Sequence, residues 1–132
     1  MSRDWAFDIA MMHEKYGVHP VVEKMDADTL RKFLEFRVRF LDEELTELKT
    51  ATNADDVVDA LIDLCVVAIG TLDGFGVDSH KAWDAVLEAN MNKKVGVKES
   101  RPNPLGLPDL IKPEGWTAPS HADNEGKLKE IF

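Results

Sequence analysis

A single cysteine, Cys65, stands in this 132-residue sequence, so no disulfide can form within the chain. Long apolar runs are missing too. The longest, Leu64 to Gly70, covers seven residues, far short of the roughly 20 that cross a bilayer, which argues against a membrane-spanning protein. Basic residues are few beside acidic ones, 16 Lys and Arg against 25 Asp and Glu, for a formal net charge of −9. That balance excludes a broad basic surface for DNA or RNA, though not a small phosphorylated ligand, since metal ions can stand between carboxylates and phosphates. Proline is almost absent from the first hundred residues, where Pro20 is the sole one before Pro102, so helices can run long there. The opening residues Met1-Ser2-Arg3-Asp4-Trp5 hold no apolar signal core, and with the lone cysteine they lead us to expect a cytoplasmic protein.

What is present reads as a globular, all-α chain. A composition of 44% hydrophobic and 31% charged residues suits one domain that builds its own core. Four segments carry helical periodicity. The first spans Arg3 to Tyr16, with Trp5, Ile9, Met12 and Tyr16 on one face, closed by Gly17 and followed by a short connection through Pro20. The second begins at Asp26, a capping residue, and runs to about Thr50. The third follows Asn53, another capping residue, and ends in Asp73-Gly74-Phe75-Gly76; the fourth opens at Asp78 or Ser79 and reaches about Lys93. Five of the six prolines then fall between Pro102 and Pro119. We therefore expect a helical domain over 1–94 and an extended tail over 95–132, draped on the helices or on a partner subunit.

Acids stand where a core should be. On the second helix the aromatic stripe Phe33, Phe36, Phe40 continues into Glu44 and Glu47. The third helix is apolar almost all round from Val57 to Leu72, apart from Asp59 and Asp63, which with Asp56 lie at i, i+3 and i+7. At about 100° per residue these three fall on one stripe. A helix so apolar should be buried, and its acid stripe with it. Buried carboxylates must be protonated, paired or metal-bound. The bland alternatives are pairing with Arg37 or Arg39, or a solvated rim. Five acids aligned on consecutive helices, Glu44, Glu47, Asp56, Asp59 and Asp63, argue against both.

Oxygen donors select Mg²⁺, with Mn²⁺ as a substitute, over zinc. A di-iron bundle would need Glu-x-x-His pairs, yet His13, His19, His80 and His121 all fall outside the second and third helices. Mg²⁺ held by few carboxylates meets substrate phosphates, which points to phosphoryl or pyrophosphate chemistry. Cys65 lies in an apolar run and reads as an inert core residue. Trp83 and Trp116 read first as packing. Trp5, Phe7 and His13 read first as core, with a base pocket as the lesser reading.

These residues resemble a known family. Glu43-Glu44-Leu45-Thr46-Glu47, then Asp56-Val57-Val58-Asp59, is similar to the Glu-Glu-x-x-Glu … Glu-x-x-Asp pattern of MazG-like, all-α nucleoside triphosphate pyrophosphohydrolases, and Asp59-Ala60-Leu61-Ile62-Asp63 extends the match. Phe75-Gly76-Val77-Asp78, Trp83-Asp84-Ala85-Val86, Asn90-Met91-Asn92-Lys93 and Lys112-Pro113-Glu114-Gly115-Trp116 resemble the phosphoribosyl-ATP pyrophosphohydrolase-like branch. Asp56 departs by standing where the family usually has Glu, one methylene shorter, and the gap between the acid pairs is short.

The resemblance implies a four-helix module that assembles as a homodimer or homotetramer. It also implies Mg²⁺-dependent hydrolysis of a nucleoside triphosphate to the monophosphate and pyrophosphate. Glu44, Glu47, Asp56 and Asp59 would hold the metal, Glu43 or Asp63 would orient the water, and Asn90 with Lys93 would contact substrate phosphates. For Lys93 the plain alternative is a favourable place at a helix C-terminus. The rival substrate is phosphoribosyl-ATP of histidine biosynthesis, and the rival class is a non-catalytic acidic interaction module. Two apolar stripes on the second helix and an apolar third helix also call for a partner subunit.

Overall fold

The structure of the chain is a computed structural model that describes residues 3–98, 100 and 105–132. Five helices follow in order: α1 (Trp5–Tyr16), α2 (Val18–Glu23), α3 (Ala27–Thr50), α4 (Ala54–Gly74) and α5 (Ser79–Met91). Two three-residue strands, β1 (Lys94–Gly96) and β2 (Asp109–Ile111), and a 3-10 turn at Gly126–Glu130 complete the described elements. The chain divides into two compact units: residues up to Ser79 together with Glu125–Phe132, and His80–Asn124. The fourth helix read from sequence thus groups with the chain that follows it. The stretch of the expected tail at residues 99 and 101–104, with Pro102 and Pro104, lies outside the described residues.

The helices of the first unit start where their side chains can hold orphan amides. Asp4 accepts from the Phe7 amide at 3.0 Å, Asp26 from the Thr29 amide at 2.8 Å, and Asn53 Oδ1 from the Asp56 amide at 2.8 Å. Gly17 ends α1 with φ 70°, a left-handed conformation that glycine adopts without steric cost. α3 and α4 turn back on one another through residues 51–53 and form the main packing pair, with α1 laid on α4 and α2 touching both. Leu30 and Phe75 are fully buried, and the Phe75 ring stacks on Phe33 with centroids 5.0 Å apart. The C-terminal segment closes on this point: the Lys127 amide donates to the Phe75 carbonyl at 2.7 Å.

Three expectations change. The connection through Pro20 is itself a helix, α2. Pro20 sits in the first turn of α2, where a missing N–H deprives no carbonyl of a partner. The tail contains an antiparallel pairing, Lys94 with Ile111 through Gly96 with Asp109, too short to show as an alternating pattern. Finally, α4 is not covered all round within the single chain. Val58 is 62% exposed, Leu61 and Ile62 are exposed beside it, and so are Asp56 and Asp59. Phe36 and Val38 on α3 are exposed as well. Among the described residues no single helix is long and apolar enough to cross a membrane.

In the second unit, α5 is joined to the strand pair, and Trp116 ties the later chain back to the helix. Its indole N–H donates to the Ala89 carbonyl at 2.7 Å, which bears out its reading as a packing residue. Trp83 on α5 is largely exposed.

Candidate functional site

Glu44 is one of two buried polar side chains among the described residues, at 9% exposure. Its Oε2 is enclosed without a hydrogen-bond partner. One carboxylate oxygen each from Glu44, Glu47 and Asp63 lies within 4.8 Å of the others. The two glutamates stand three residues apart near the end of α3 and so share a face. The aspartate is presented from the facing stretch of α4, because the two helices run in opposite directions from a tight turn.

The electrostatics follow from crowding. Burial raises the Glu44 pKa most; a hydrogen bond with Glu47, which only a protonated carboxyl can donate, raises it further, as do the charges of Glu47, Asp63 and Asp59. Asp63 is raised by burial, by the charges of Asp59 and Glu47, and by a hydrogen bond with Asp59. Among the described residues no lysine or arginine pairs with these acids. Arg37 is spoken for: Nε donates to Thr71 Oγ1 and Nη2 to the Val67 carbonyl, each at 2.9 Å, and the guanidinium lies over Phe40 at 5.4 Å. Arg39 is exposed. The pairing alternative therefore finds no cation here.

The expected site residues separate into groups. Glu44, Glu47 and Asp63 come together, with Asp59 close enough to act on both buried Glu44 and half-buried Asp63. Asp63 thus stands among the candidate metal ligands. Asp56 does not join the group; Asn53 Nδ2 donates to its Oδ2 at 2.9 Å. Seven residues of α-helix, about 10 Å of rise, separate Asp56 from Asp63, too long a stripe for one small cation. Glu43 is exposed beside the cluster on α3. Asn90 and Lys93 belong to the second unit, where the Lys93 ammonium lies 5.3 Å from the Trp116 ring centroid and that of Lys112 5.1 Å.

A second grouping was not foreseen: His13, His19 and Asp73 each offer a ligand atom within 4.8 Å of the others. Its sequence signal was weak. A glycine-broken His-x5-His has no helical spacing, and Asp73 lies 60 residues from His13.

An uncompensated group of three or four carboxylates, one oxygen buried and unsatisfied, suits a hard divalent cation. The comparisons with known proteins point the same way. A family model described as phosphoribosyl-ATP pyrophosphohydrolase matches residues 19–90, a span that contains all of α3 and α4. Neither the curated proteins nor the solved structures contain a match.

Proposed function

Because the chain belongs to the phosphoribosyl-ATP pyrophosphohydrolase family, within the MazG-like nucleoside triphosphate pyrophosphohydrolases, we propose that it is a Mg²⁺-dependent enzyme cleaving (d)NTP-type substrates to nucleoside monophosphate and pyrophosphate. The observation that carries this reading is the convergence of Glu44, Glu47 and Asp63 around a buried, unpartnered carboxylate oxygen.

Glu44, Glu47, Asp59 and Asp63 would hold the cation, with Asp56 left at the far end of the stripe. Mg²⁺, or Mn²⁺ in its place, supplies neutralisation of the phosphate charge at this cluster. The protein does little covalent work in such a reaction; it aligns a water with the phosphorus and accepts its proton as the bridging P–O bond breaks. Of the two acids expected to act on that water, Asp63 lies within the cluster and Glu43 on its exposed edge. Asn90 and Lys93 are retained as substrate contacts on the strength of the resemblance alone. The exposed apolar faces of α3 and α4 support assembly as a homodimer or homotetramer.

The family description favours a second substrate, phosphoribosyl-ATP, and with it a place in histidine biosynthesis. Pyrophosphate release with Mg²⁺ should be measured for the NTPs, the dNTPs and phosphoribosyl-ATP, comparing wild type with Glu47→Gln and Asp59→Asn. We expect release from at least one substrate and a loss on the order of 10²-fold in both variants. Equal activity in wild type and both variants would overturn the site, and hydrolysis of phosphoribosyl-ATP alone would select the second substrate. A melting temperature unmoved by Mg²⁺ and Mn²⁺, without turnover, would select the non-catalytic module.

A further inference from the structure

Away from the acid cluster, α1, α2 and the end of α4 bring His13, His19 and Asp73 to one point. His13 Nδ1 lies 2.7 Å from Asp73 Oδ2, and His19 Nε2 lies 2.8 Å from the same oxygen. His19 Nε2 also reaches the Asp73 carbonyl at 3.2 Å. The two imidazoles are edge-on, with centroids 6.0 Å apart and planes at 78°, so their nitrogens meet at the carboxylate and the rings do not stack. Gly17 makes this possible: its positive φ breaks the helix between the two histidines and turns α2 back toward the ring that α1 delivers.

We infer that His13 Nδ1, His19 Nε2 and Asp73 Oδ2 form a binding site for a borderline divalent transition metal, Zn²⁺ or a congener such as Co²⁺, separate from the carboxylate cluster. Two imidazoles and one carboxylate are a donor set for such ions and a poor one for Mg²⁺. Metal–ligand bonds of about 2.0–2.1 Å place tetrahedral ligand atoms roughly 3.3 Å apart. The present contacts of 2.7 and 2.8 Å must therefore open by about half an ångström as two N–H···O bonds give way to coordination. The ring protons then move to the distal nitrogens, Nε2 of His13 and Nδ1 of His19, or leave to solvent. His13 is buried and fixes one ligand. His19, whose side chain is 39% exposed, is the ligand free to adjust and opens the site to entering metal and water. A Cβ at neighbouring Gly70 would press on Arg37 Nη2 at 2.7 Å but meet His13 Nε2 only at contact distance, 3.5 Å.

The test uses the full, untagged, metal-stripped chain titrated with Co²⁺, read by its visible ligand-field absorption. Wild type should take up one equivalent with the intense spectrum of a low-coordinate site, release it to Zn²⁺, and keep it in excess Mg²⁺. His19→Gln retains an N–H donor for Asp73 and hence the fold. It should weaken binding by more than the ~10–100-fold that loss of an outer-shell partner costs. Asp73→Asn should do the same, and Glu47→Gln should leave the spectrum unchanged. Zn²⁺ should raise the melting temperature of wild type and not that of His19→Gln. No Co²⁺ spectrum in wild type, the same spectrum in His19→Gln, or a spectrum lost in Glu47→Gln alone would each overturn the site and leave a hydrogen-bonded triad. Because none of these readouts is turnover, they stand whatever becomes of the pyrophosphohydrolase reading.

Discussion

Helix α4 carries carboxylates at both ends, and their circumstances are opposite. Toward its start, Asp59 and Asp63 meet Glu44 and Glu47 with no lysine or arginine in reach among the described residues, and one glutamate oxygen is enclosed without a partner. Toward its end, Asp73 accepts from two histidines, and the chain just beyond sets the fully buried Phe75 ring on Phe33. The second arrangement satisfies itself and ties α1, α2 and α4 together. The first is left with like charges that help to raise the pKa values of Glu44 and Asp63, and with no internal remedy. Charge that neighbours satisfy needs no ligand to be stable, as at Asp73 before any metal enters; charge that they leave unmet calls for something from outside the chain.

The sharpest way to break the contrast is to strike each end in turn. Phe75→Ala empties a fully buried aromatic site and should cost about 3–5 kcal/mol, read from chemical denaturation. Glu44→Gln should leave the metal-free protein as stable or more stable while pyrophosphate release falls on the order of 10²-fold. If Glu44→Gln instead unfolds the protein, the acid end is structural and the contrast fails. Gly126→Ala probes how the C-terminal segment closes on the Phe75 turn. Gly126 has φ 54°, and a Cβ there would collide with the Phe75 carbonyl oxygen, so a loss of about 1–3 kcal/mol is expected in the same denaturation assay.

Much of the α3–α4 hairpin was legible because its signals are local. Asp26 and Asn53 cap as their residue types suggest, Gly17 closes α1, and Glu44 and Glu47 interrupt an aromatic stripe that periodicity alone places on one face. What failed depends on register between elements. The i, i+3, i+7 stripe joins Asp56 to Asp63, yet only the facing level of α3 decides which acids meet, and Asn53 holds Asp56 as well as capping its amide. Pro20 reads as a breaker unless the position of the helix start is known. The burial expected of α4 rested on its composition, whereas Val58 and Ile62 show that one chain alone leaves part of it bare. His13, His19 and Asp73 meet only through the tertiary fold, beyond any spacing rule.

The smallest expected effect separates the two ends by pH. Glu44 and Asp63 have folded pKa values raised above their unfolded ones. Above those raised values, without metal, holding both ionised costs the folded chain more than the unfolded one. As pH falls through the raised values the folded state takes up protons before the unfolded state does, so stability rises, and the gain is complete below the ordinary carboxylate range. Asp26, lowered chiefly by its bond from the Thr29 amide, and Asp123, lowered chiefly by its bond from Lys81, act in the opposite sense. Their stabilisation is present above the ordinary range and is lost as pH drops through their lowered values. The metal-free melting temperature should therefore climb on mild acidification and decline on strong acidification. Mg²⁺ should flatten the climb by competing with the protons, and Glu44→Gln should reduce it while leaving the decline intact. Identical profiles for wild type and Glu44→Gln, with and without Mg²⁺, would show that the crowded acids are not strained by one another, and the contrast between the two ends of α4 would lose its physical basis.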